Sequence, residues 1–389
     1  MITAYKFRLY PTDLQERTMA ETIETCRRLY NDRLDDRIRN HTSTFEQNRI
    51  LTLHRREDKY LKRVHSQVLQ DVIFRLGKAF GAFFGGLSKF PRFKRKGRYN
   101  SFTYPQRGPR HGGFNISDGQ LYLSMIGKVD IKVHREIEGR MKTCTIIRDV
   151  DQWYACITGE MGDVEPPPNN NPSVGIDLGV TLLAALSDGT VLPAPKLLKK
   201  SEVEIKALQR SLARKQKKSK NREKAKTALA KAWRRLRNRR YDLAHKTSKF
   251  FASNYSTIVF EDLKICNMVK NHGLASAILD ACWGKTRRLT AYKAERRGGR
   301  VILVDPRGTS QECSGCRKMV EKPLSKRVHS CPHCGLVLDR DVNAARNILA
   351  RGLERAPVET EPIPVIRIGK FGRGSKKPTA SDVGSSQCR

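Results

Sequence analysis

Alternating apolar and polar residues mark the beginning of the chain. Tyr5, Phe7 and Leu9 fall on one side of an extended segment, and basic residues fall on the other side. A period of two is typical of a β-strand with one buried face. Residues 1–10 are therefore predicted to form a short strand.

The pattern then changes to a helical period. Thr12 is suited to cap a helix, with Pro11 just outside it. Across residues 13–88 apolar positions recur every three or four residues, as at Leu29, Leu34 and Ile38, among many charged residues. This spacing predicts a mostly helical region.

Short strands with glycine turns are predicted from about residue 99 to residue 162. The clearest are Gln120–Met125, Gly127–Val133, Lys142–Arg148 and Trp153–Gly159. Such a series is typical of a small β-barrel or sheet, which the first strand is expected to join. The helices of residues 12–88 would then be an insertion into that sheet.

A proline- and asparagine-rich linker at residues 166–172 precedes a second alternation of strands and helices. The pattern predicts strands at 174–180, 182–186, 190–192, 256–261 and 300–305, helices at 200–250, 278–297 and 341–353, and a disordered basic tail from residue 356. The second half is therefore predicted to be α/β.

Three carboxylates stand in similar settings in this α/β half. Asp177 lies within the apolar strand that begins at Val174, Glu261 ends another strand, and Asp341 begins the last helix. A buried ionised acid is costly without a positive partner, and converging acids repel one another. A divalent cation such as Mg²⁺, which prefers oxygen ligands, would resolve both problems.

Two ions at such a site can activate water and stabilise the leaving oxygen of a phosphodiester. The Asp-Leu-Gly run at 177–179 also resembles the phosphate loop of actin-like ATPases, but the sequence offers no further glycine-rich loops of that kind. Asp262, Asp305 and Asp339 are competing acids. Asp339 is suited to cap the last helix, and Asp305, which ends a strand, is a candidate neighbour of the site.

Two Cys-x-x-Cys pairs predict a metal knuckle. Cys313 and Cys316 are followed by Cys331 and Cys334. Two such turns can complete a closed, tetrahedral four-thiolate zinc site, which is structural. His329 and His333 are alternative ligands, but four cysteines make the simpler set. The remaining six cysteines are scattered, which fits a reducing cytoplasm.

The charge balance points to a polyanionic partner. The chain has 76 Lys and Arg against 39 Asp and Glu, a formal net charge of +37. Such an excess favours nucleic acid. Membrane binding is disfavoured, because the chain has no long apolar run and no signal peptide.

Two basic regions are expected to contact phosphates. Residues 90–104 interleave aromatic and basic residues, a mixture suited to irregular nucleic acid. Residues 196–250 contain 21 Lys and Arg but only 4 Asp and Glu. The candidate nucleic-acid contacts are Arg92, Lys94, Arg95, Lys96, Lys217, Lys218, Lys220, Arg234 and Arg235.

These motifs together resemble TnpB, the family of transposon-encoded, RNA-guided DNA endonucleases related to compact type V CRISPR effectors. The resemblance rests on Asp-Leu-Gly-Val at 177–180, Phe-Glu-Asp-Leu at 260–263, the cysteine segment 313–335, Asp-Arg-Asp-Val-Asn-Ala-Ala at 339–345, and the N-terminal runs 5–12 and 90–94. It covers residues 1 to about 353. Arg317 departs from the glycine that many ribbons place after the second cysteine.

The resemblance implies a multi-domain α/β architecture. An RNase H-like (RuvC) nuclease domain would span 174–306 and 336–355 and carry a zinc ribbon at 307–335. A β-barrel wedge domain would span 1–11 and 89–165 and carry a helical recognition insertion at 12–88. Residues 166–173 would be a linker, and residues 356–389 a disordered tail.

It also implies a function. Asp177, Glu261 and Asp341 would be the catalytic acids that hold two Mg²⁺ ions, and the four cysteines would hold one Zn²⁺. The partners would be a guide RNA from the transposon end and double-stranded target DNA, which is cut next to a short motif that the protein reads. We expect a prokaryotic cytoplasmic monomer associated with the nucleoid. The alternatives are a catalytically silent RNA-guided repressor, a strand-joining transposase, and the ATPase.

Overall fold

A computed structural model describes residues 2–108, 112–162, 165–323 and 326–354. By its internal contacts the chain divides into two compact units. The first unit comprises Met1–Asn171, Ala194–Ser256 and Lys264–Arg300, and the second comprises Pro172–Pro193, Thr257–Leu263 and Val301–Arg389. The basic tail predicted from residue 356 lies outside the described residues. The domain ranges implied by the family resemblance stay predictions.

A seven-stranded antiparallel sheet forms the base of the first unit, in the order β2-β6-β7-β1-β5-β4-β3. Its strands are β1 (Ile2–Tyr10), β2 (Ser101–Tyr104), β3 (Phe114–Ser117), β4 (Gln120–Leu123), β5 (Gly127–Lys132), β6 (Arg140–Asp149) and β7 (Gln152–Glu160). The first strand pairs with both β5 and β7, as the sequence predicted. The sequence pattern missed the four-residue strands β2 and β3. Closure of this sheet into a barrel stays a prediction.

Four helices follow β1: α1 (Asp13–Asn40), α2 (Thr44–Glu57), α3 (Lys59–Lys62) and α4 (Ser66–Phe84). A capping box starts α1, in which the Thr12 hydroxyl accepts from the Gln15 amide and the Gln15 side chain accepts from the Thr12 amide. The apolar stripes of α1 and α4 join the buried face of the sheet in one core that includes Phe7, Leu29 and Leu69. The predicted helical insertion is therefore packed on the sheet.

The first unit also holds five helices from the middle of the chain. They are α5 (Leu197–Arg214), α6 (Lys220–Asn254), α7 (Ile265–Met268), α8 (His272–Ala281) and α9 (Trp283–Glu295). Ile205 of α5 packs with Ala232 and Leu236 of α6. The sequence pattern predicted one helix over 278–297. That prediction was wrong, because Cys282 adopts a left-handed conformation with φ 56° and separates α8 from α9.

The second unit is built on a five-stranded sheet in the order β10-β9-β8-β11-β12. Its strands are β8 (Val174–Asp177), β9 (Leu182–Leu186), β10 (Val191–Pro193), β11 (Thr257–Glu261) and β12 (Arg300–Val304). Strand β8 is antiparallel to β9 and parallel to β11. A two-stranded hairpin, β13 (Val328–Ser330) and β14 (Val337–Asp339), leads into α10 (Arg340–Glu354).

Helix α10 lies directly on this sheet. A Cβ atom added to Gly175 of β8 would lie 2.1 Å from the Ala345 carbonyl oxygen, and one added to Gly352 of α10 would lie 2.5 Å from a Val259 methyl group. Both contacts are too short for a side chain, so the two glycines set how closely the helix approaches the strands. Among the residues that the structure describes, no helix is long and apolar enough to cross a membrane.

Candidate functional site

Two of the predicted acids lie at the same edge of the second unit's sheet. The parallel pairing of β8 and β11 sets Val174 beside Ile258 and Ile176 beside Phe260. The next residue on each strand is an acid, Asp177 on β8 and Glu261 on β11. Because parallel strands end at one edge, this register brings together two carboxylates that are 84 residues apart in the sequence.

The third acid reaches this region on α10. Asp341 lies in the first turn of the helix and is 8% exposed. The Asp339 carboxylate accepts from the amides of Asp341 and Val342 at 2.8 and 3.2 Å. Asp339 is therefore the cap of the helix, one of the roles that the sequence left open. Capping through Asp339 leaves the Asp341 carboxylate for other contacts.

The electrostatics of the site show that the acids influence one another. Enclosure by neighbouring protein raises the pKa of Asp177 to about 8, and repulsion from Glu261 and Asp341 adds to this effect. Burial also raises the pKa of Glu261, against a hydrogen bond from Thr309. A metal-free site of this kind disfavours full ionisation, whereas a divalent cation would favour it.

Two arginines partly neutralise the acids. The Arg340 guanidinium lies 2.9 Å from the Asp341 carboxylate, and that of Arg327 lies 3.2 Å from its other oxygen. Arg327 also donates to the Thr181 hydroxyl at 2.8 Å. The sequence analysis singled out neither arginine, although Arg340 stands within the Asp-Arg-Asp motif. Their positive charge lowers the cost of holding acids in this enclosed position.

The four cysteines gather into a cluster, as predicted. Their sulfur atoms all lie within 4.8 Å of one another, with Cys313 to Cys334 and Cys316 to Cys331 at 3.6 Å. Sulfur atoms around one tetrahedral zinc ion would be about 3.8 Å apart. The donor set and spacing therefore fit one closed four-thiolate metal site.

Neither histidine belongs to this cluster. His329 is fully buried and its Nδ1 lies against the Lys322 ammonium, whereas His333 is exposed. Within the described ranges, no further group of three or more His, Cys, Asp or Glu residues brings its ligand atoms within 4.8 Å of one another. The acid trio is thus a looser arrangement than the cysteine cluster.

Local turns hold the cysteines in place. The Arg317 amide donates to the Cys313 carbonyl at 2.9 Å, and the Gly335 amide donates to the Cys331 carbonyl at 3.0 Å. Arg317 has a φ of 64°, which explains why glycine suits this position. Its guanidinium lies 2.6 Å from Glu354 and 3.5 Å from Glu312, contacts that glycine could not make.

The predicted nucleic-acid contacts fall into two groups. Exposed basic side chains include Arg92, Arg95, Lys96, Lys217, Lys218 and Lys220. Arg234, by contrast, is 7% exposed and donates to the Asp149 carbonyl at 2.8 Å and to the Asp151 carboxylate at 2.5 Å. Arg235 pairs with Glu204, and the Lys94 ammonium lies 5.2 Å from the centre of the Tyr30 ring. The charge of Arg234 is thus paired with Asp151 inside the protein. Phosphate contacts by the residues of this set stay predictions.

The aromatic residues of 90–104 also divide. Tyr99, Phe102 and Tyr104 are buried in the core. Phe90 and Phe93 are 44% and 52% exposed. The exposed pair, beside Arg92 and Lys96, forms the part of the segment suited to stacking on bases.

Comparison with known proteins supports a single family. Three family models match, described as "Probable transposase" over residues 156–272, "Cas12f1-like, TNB domain" over 283–348 and "Helix-turn-helix domain" over 1–44. In this structure residues 1–44 contain β1 and α1. The first two matches together contain Asp177, Glu261, Asp341 and the four cysteines.

Two full-length relatives agree with these matches. A protein of Streptomyces pristinaespiralis, provisionally named an RNA-guided DNA endonuclease, is 35% identical over 96% of this chain and 95% of its own length. A protein of Escherichia coli K12, provisionally named the RNA-guided DNA endonuclease InsQ, is 34% identical over 90% of this chain and 92% of its own.

Among solved structures, the Cas12f1 protein in a complex with single guide RNA and target DNA shares the fold. Its TM-score is 0.59 at 13% identity, over 90% of this chain and 98% of that one. The chain thus has a RuvC-containing α/β fold, and its cysteine cluster forms a zinc-ribbon-like segment. The chain belongs to the TnpB (IS605 OrfB) family, as the sequence motifs predicted.

Proposed function

We propose that this protein is the RNA-guided DNA endonuclease of a transposon. The observation that carries the proposal is the position of Asp177 and Glu261 at one edge of the second unit's sheet, with Asp341 in the first turn of α10, together with a pKa of Asp177 raised to about 8 by enclosure and by the other two acids. Relatives that match nine-tenths of the chain or more carry that activity in their names. The three mutually repelling acids, once they hold divalent metal, would supply the chemistry that such an activity requires.

The three acids would hold divalent metal, two Mg²⁺ ions by the family resemblance. When bound, such ions supply an activated water and stabilise the leaving 3′ oxygen of the cleaved strand. Asp177 and Glu261 are held by the strand register, and Asp341 by the capped first turn of α10. The raised pKa of Asp177 favours its protonated form without metal, so metal binding would displace a proton from this carboxyl group.

The cysteine cluster would hold one Zn²⁺ with a structural role. All four positions of a tetrahedral ion would be filled by Cys313, Cys316, Cys331 and Cys334, which leaves none open for substrate. The ion would fix the segment that connects β12 to α10. The catalytic metal would therefore be distinct from the cysteine-bound metal.

The basic surface would hold RNA and DNA. A net charge of +37 suits a heteroduplex of guide RNA and target strand, in which base pairing supplies the sequence specificity. The seven-stranded sheet would serve as the wedge domain and α1–α4 as the recognition insertion. Target recognition next to a short motif, association with the nucleoid and a monomeric state belong to the same proposal.

The test uses the protein purified with its copurifying RNA and a double-stranded target that matches the guide. Asp177→Ala should abolish cleavage and leave RNA binding within about two-fold of the wild type, because it removes a metal ligand and no basic residue. The matched control is Asp242→Ala, which removes an exposed acid of α6 paired with Lys246. Cleavage by Asp177→Ala would contradict the assigned site.

The same experiment distinguishes an endonuclease from a catalytically silent RNA-guided repressor. If the wild type binds guide and target but cuts neither strand with Mg²⁺ or Mn²⁺, the endonuclease proposal is wrong and an RNA-guided binding protein remains. Sequencing of the copurified RNA provides the guide in either case. The intact acid trio favours cleavage over silent binding.

A further inference from the structure

Glu261 receives a hydrogen bond from a residue in a loop. The Thr309 hydroxyl donates to the Glu261 carboxylate at 2.6 Å, and its longer contact, 3.1 Å, is to the Pro306 carbonyl of the same loop. Thr309 is 2% exposed, so water does not compete freely for this contact. A short hydrogen bond to an enclosed carboxylate fixes the direction in which its oxygens point. Thr309 lies 48 residues after Glu261 in the sequence.

The loop that carries Thr309 is itself held by α10. The side-chain amide of Asn347 donates to the carbonyls of Thr309 at 2.9 Å and Glu312 at 2.6 Å. The Arg351 guanidinium donates to the carbonyls of Asp305 and Arg307 at 3.1 and 2.6 Å. Asn347 is 1% exposed. Two consecutive turns of the helix thus hold the backbone on both sides of Thr309.

The same helix also holds the first cysteine turn. The Ser314 amide donates to the Asn343 side chain at 2.9 Å, and the Asn343 side-chain amide donates to the Glu312 carbonyl at 2.8 Å. Asn343 is fully buried and lies two residues after Asp341. Helix α10 therefore carries one acid directly and fixes the loop that contacts a second.

We propose that Thr309 is a positioning residue that orients Glu261 relative to Asp341 for divalent metal binding. Its hydroxyl ties the carboxylate at the end of β11 to the loop anchored on α10, so that two acids from different elements are aligned from one helix. This inference rests on the proposed function, because it assigns Glu261 to the catalytic metal site. Contacts that orient metal ligands commonly alter affinity by about 10- to 100-fold.

The experiment compares Thr309→Val, which keeps the shape and removes the hydroxyl, with Thr309→Ser, which keeps the hydroxyl. In the RNA-bound protein, Thr309→Val should raise the Mg²⁺ concentration for half-maximal cleavage about 10- to 100-fold. The rate at saturating Mg²⁺ should fall much less, since the acids themselves remain. Thr309→Ser should restore the wild-type Mg²⁺ requirement to within about three-fold, well inside that range.

A matched control separates positioning from loss of stability. Thr290 of α9 is fully buried and its hydroxyl donates to the Thr286 carbonyl at 2.9 Å, in the first unit. Thr290→Val should leave the Mg²⁺ requirement unchanged, even if its unfolding temperature falls. Equal Mg²⁺ requirements for the wild type and Thr309→Val would overturn the proposal. So would a Thr309→Ser protein that is folded but as impaired as Thr309→Val.

A second readout does not depend on cleavage. Binding of Mn²⁺, followed by the loss of the free-ion signal in electron paramagnetic resonance, should be about 10-fold weaker or more in Thr309→Val than in the wild type. If the wild type binds Mn²⁺ through Asp177 but cuts no target, the proposed function fails while Thr309 remains testable. If cleavage is normal and Mn²⁺ affinity is the same in both proteins, the Thr309 proposal alone fails.

Discussion

The four clustered cysteines and the three acids of the second unit are assembled in different ways. The cysteines all lie between Cys313 and Cys334, whereas the acids extend from Asp177 to Asp341. The cysteine sulfurs are already within 4.8 Å of one another, whereas burial, with added repulsion from Glu261 and Asp341, raises the pKa of Asp177. One cluster depends on two local turns, and the other depends on the fold of the second unit.

The cysteine cluster is fixed by local turns in the sequence, whereas the acid trio is fixed by strand pairing and helix packing. Hydrogen bonds of the Cys313 and Cys331 turns close each pair within a few residues. The acids need the β8–β11 register and the close approach of α10 at Gly175. The cysteine cluster should therefore respond to changes in its own ligands, and the acid trio should respond to changes in the packing of the sheet.

The largest effect is expected when one cysteine is removed from the four-cysteine cluster. Cys331→Ser removes one ligand of a closed site, and structural zinc in small modules contributes about 10–16 kcal/mol to folding. We expect zinc content, measured by mass spectrometry, to fall from about one ion per chain to near zero. Limited proteolysis should then cut within residues 313–335. The control Cys266→Ser, an exposed cysteine outside the cluster, should retain zinc. A full zinc complement in Cys331→Ser would contradict the assigned ligand set.

The second largest effect is expected in the pH dependence of the unfolding free energy, through Asp177. The pKa of Asp177 is about 8 in the folded protein and 3.8 ordinarily, so folding favours its protonated form. This contribution is complete below about pH 4, and it is lost as pH rises through 8. The difference corresponds to no more than about 6 kcal/mol. In Mg²⁺-free buffer the wild type should therefore lose unfolding free energy, relative to Asp177→Asn, as pH rises from about 5 to 8.

Urea unfolding at several pH values measures this difference. Added Mg²⁺ should restore stability in the wild type most strongly at the high end of the range, because the ion favours the ionised acid. Asp177→Asn should show a smaller Mg²⁺ effect. Parallel pH profiles for the two proteins would mean that Asp177 is not held in an enclosed, repulsive setting.

A smaller effect is expected from a change that disturbs only the packing of α10 on the second unit's sheet. Gly175→Ala places a methyl group against the Ala345 carbonyl and must move α10 away from β8, at a cost of about 1–3 kcal/mol. We expect the Mg²⁺ requirement for cleavage to rise while zinc content stays at one ion. Gly81→Ala in α4 is the control, since its added methyl group meets no atom within 4 Å and should stabilise by about 0.5–1 kcal/mol. Loss of zinc in Gly175→Ala would show that the two clusters are not separable in this way.

The sequence predicted those parts of the molecule that carry a local signal. Alternation identified β1, and the cysteine spacing identified the four-sulfur cluster. The acids could be selected because Asp177 lies within a predicted apolar strand, Glu261 ends another and Asp341 begins a helix, with Asp339 as the candidate cap. The family resemblance, confirmed by the full-length relatives, added the expected roles.

Other features depend on tertiary context that the sequence pattern does not carry. Thr309 stands in a loop without periodicity, and only the fold reveals that it contacts Glu261. Arg234 and Arg235 are adjacent basic residues, yet one is buried against Asp151 and the other is exposed. Cys282 interrupts a continuous helical pattern through its backbone conformation. The contact partners of Thr309 and Arg234 lie far away in the sequence, and the helix break at Cys282 shows only in one backbone dihedral angle.

The most direct test of the central claim is an anomalous scattering map of the RNA-bound protein crystallised with Mn²⁺ in place of Mg²⁺. We expect Mn²⁺ density in contact with the carboxylates of Asp177, Glu261 and Asp341, separate from the zinc signal at the four cysteines. Density for Mn²⁺ at other residues, with these three carboxylates pointing away from it, would show that the acids do not hold the metal.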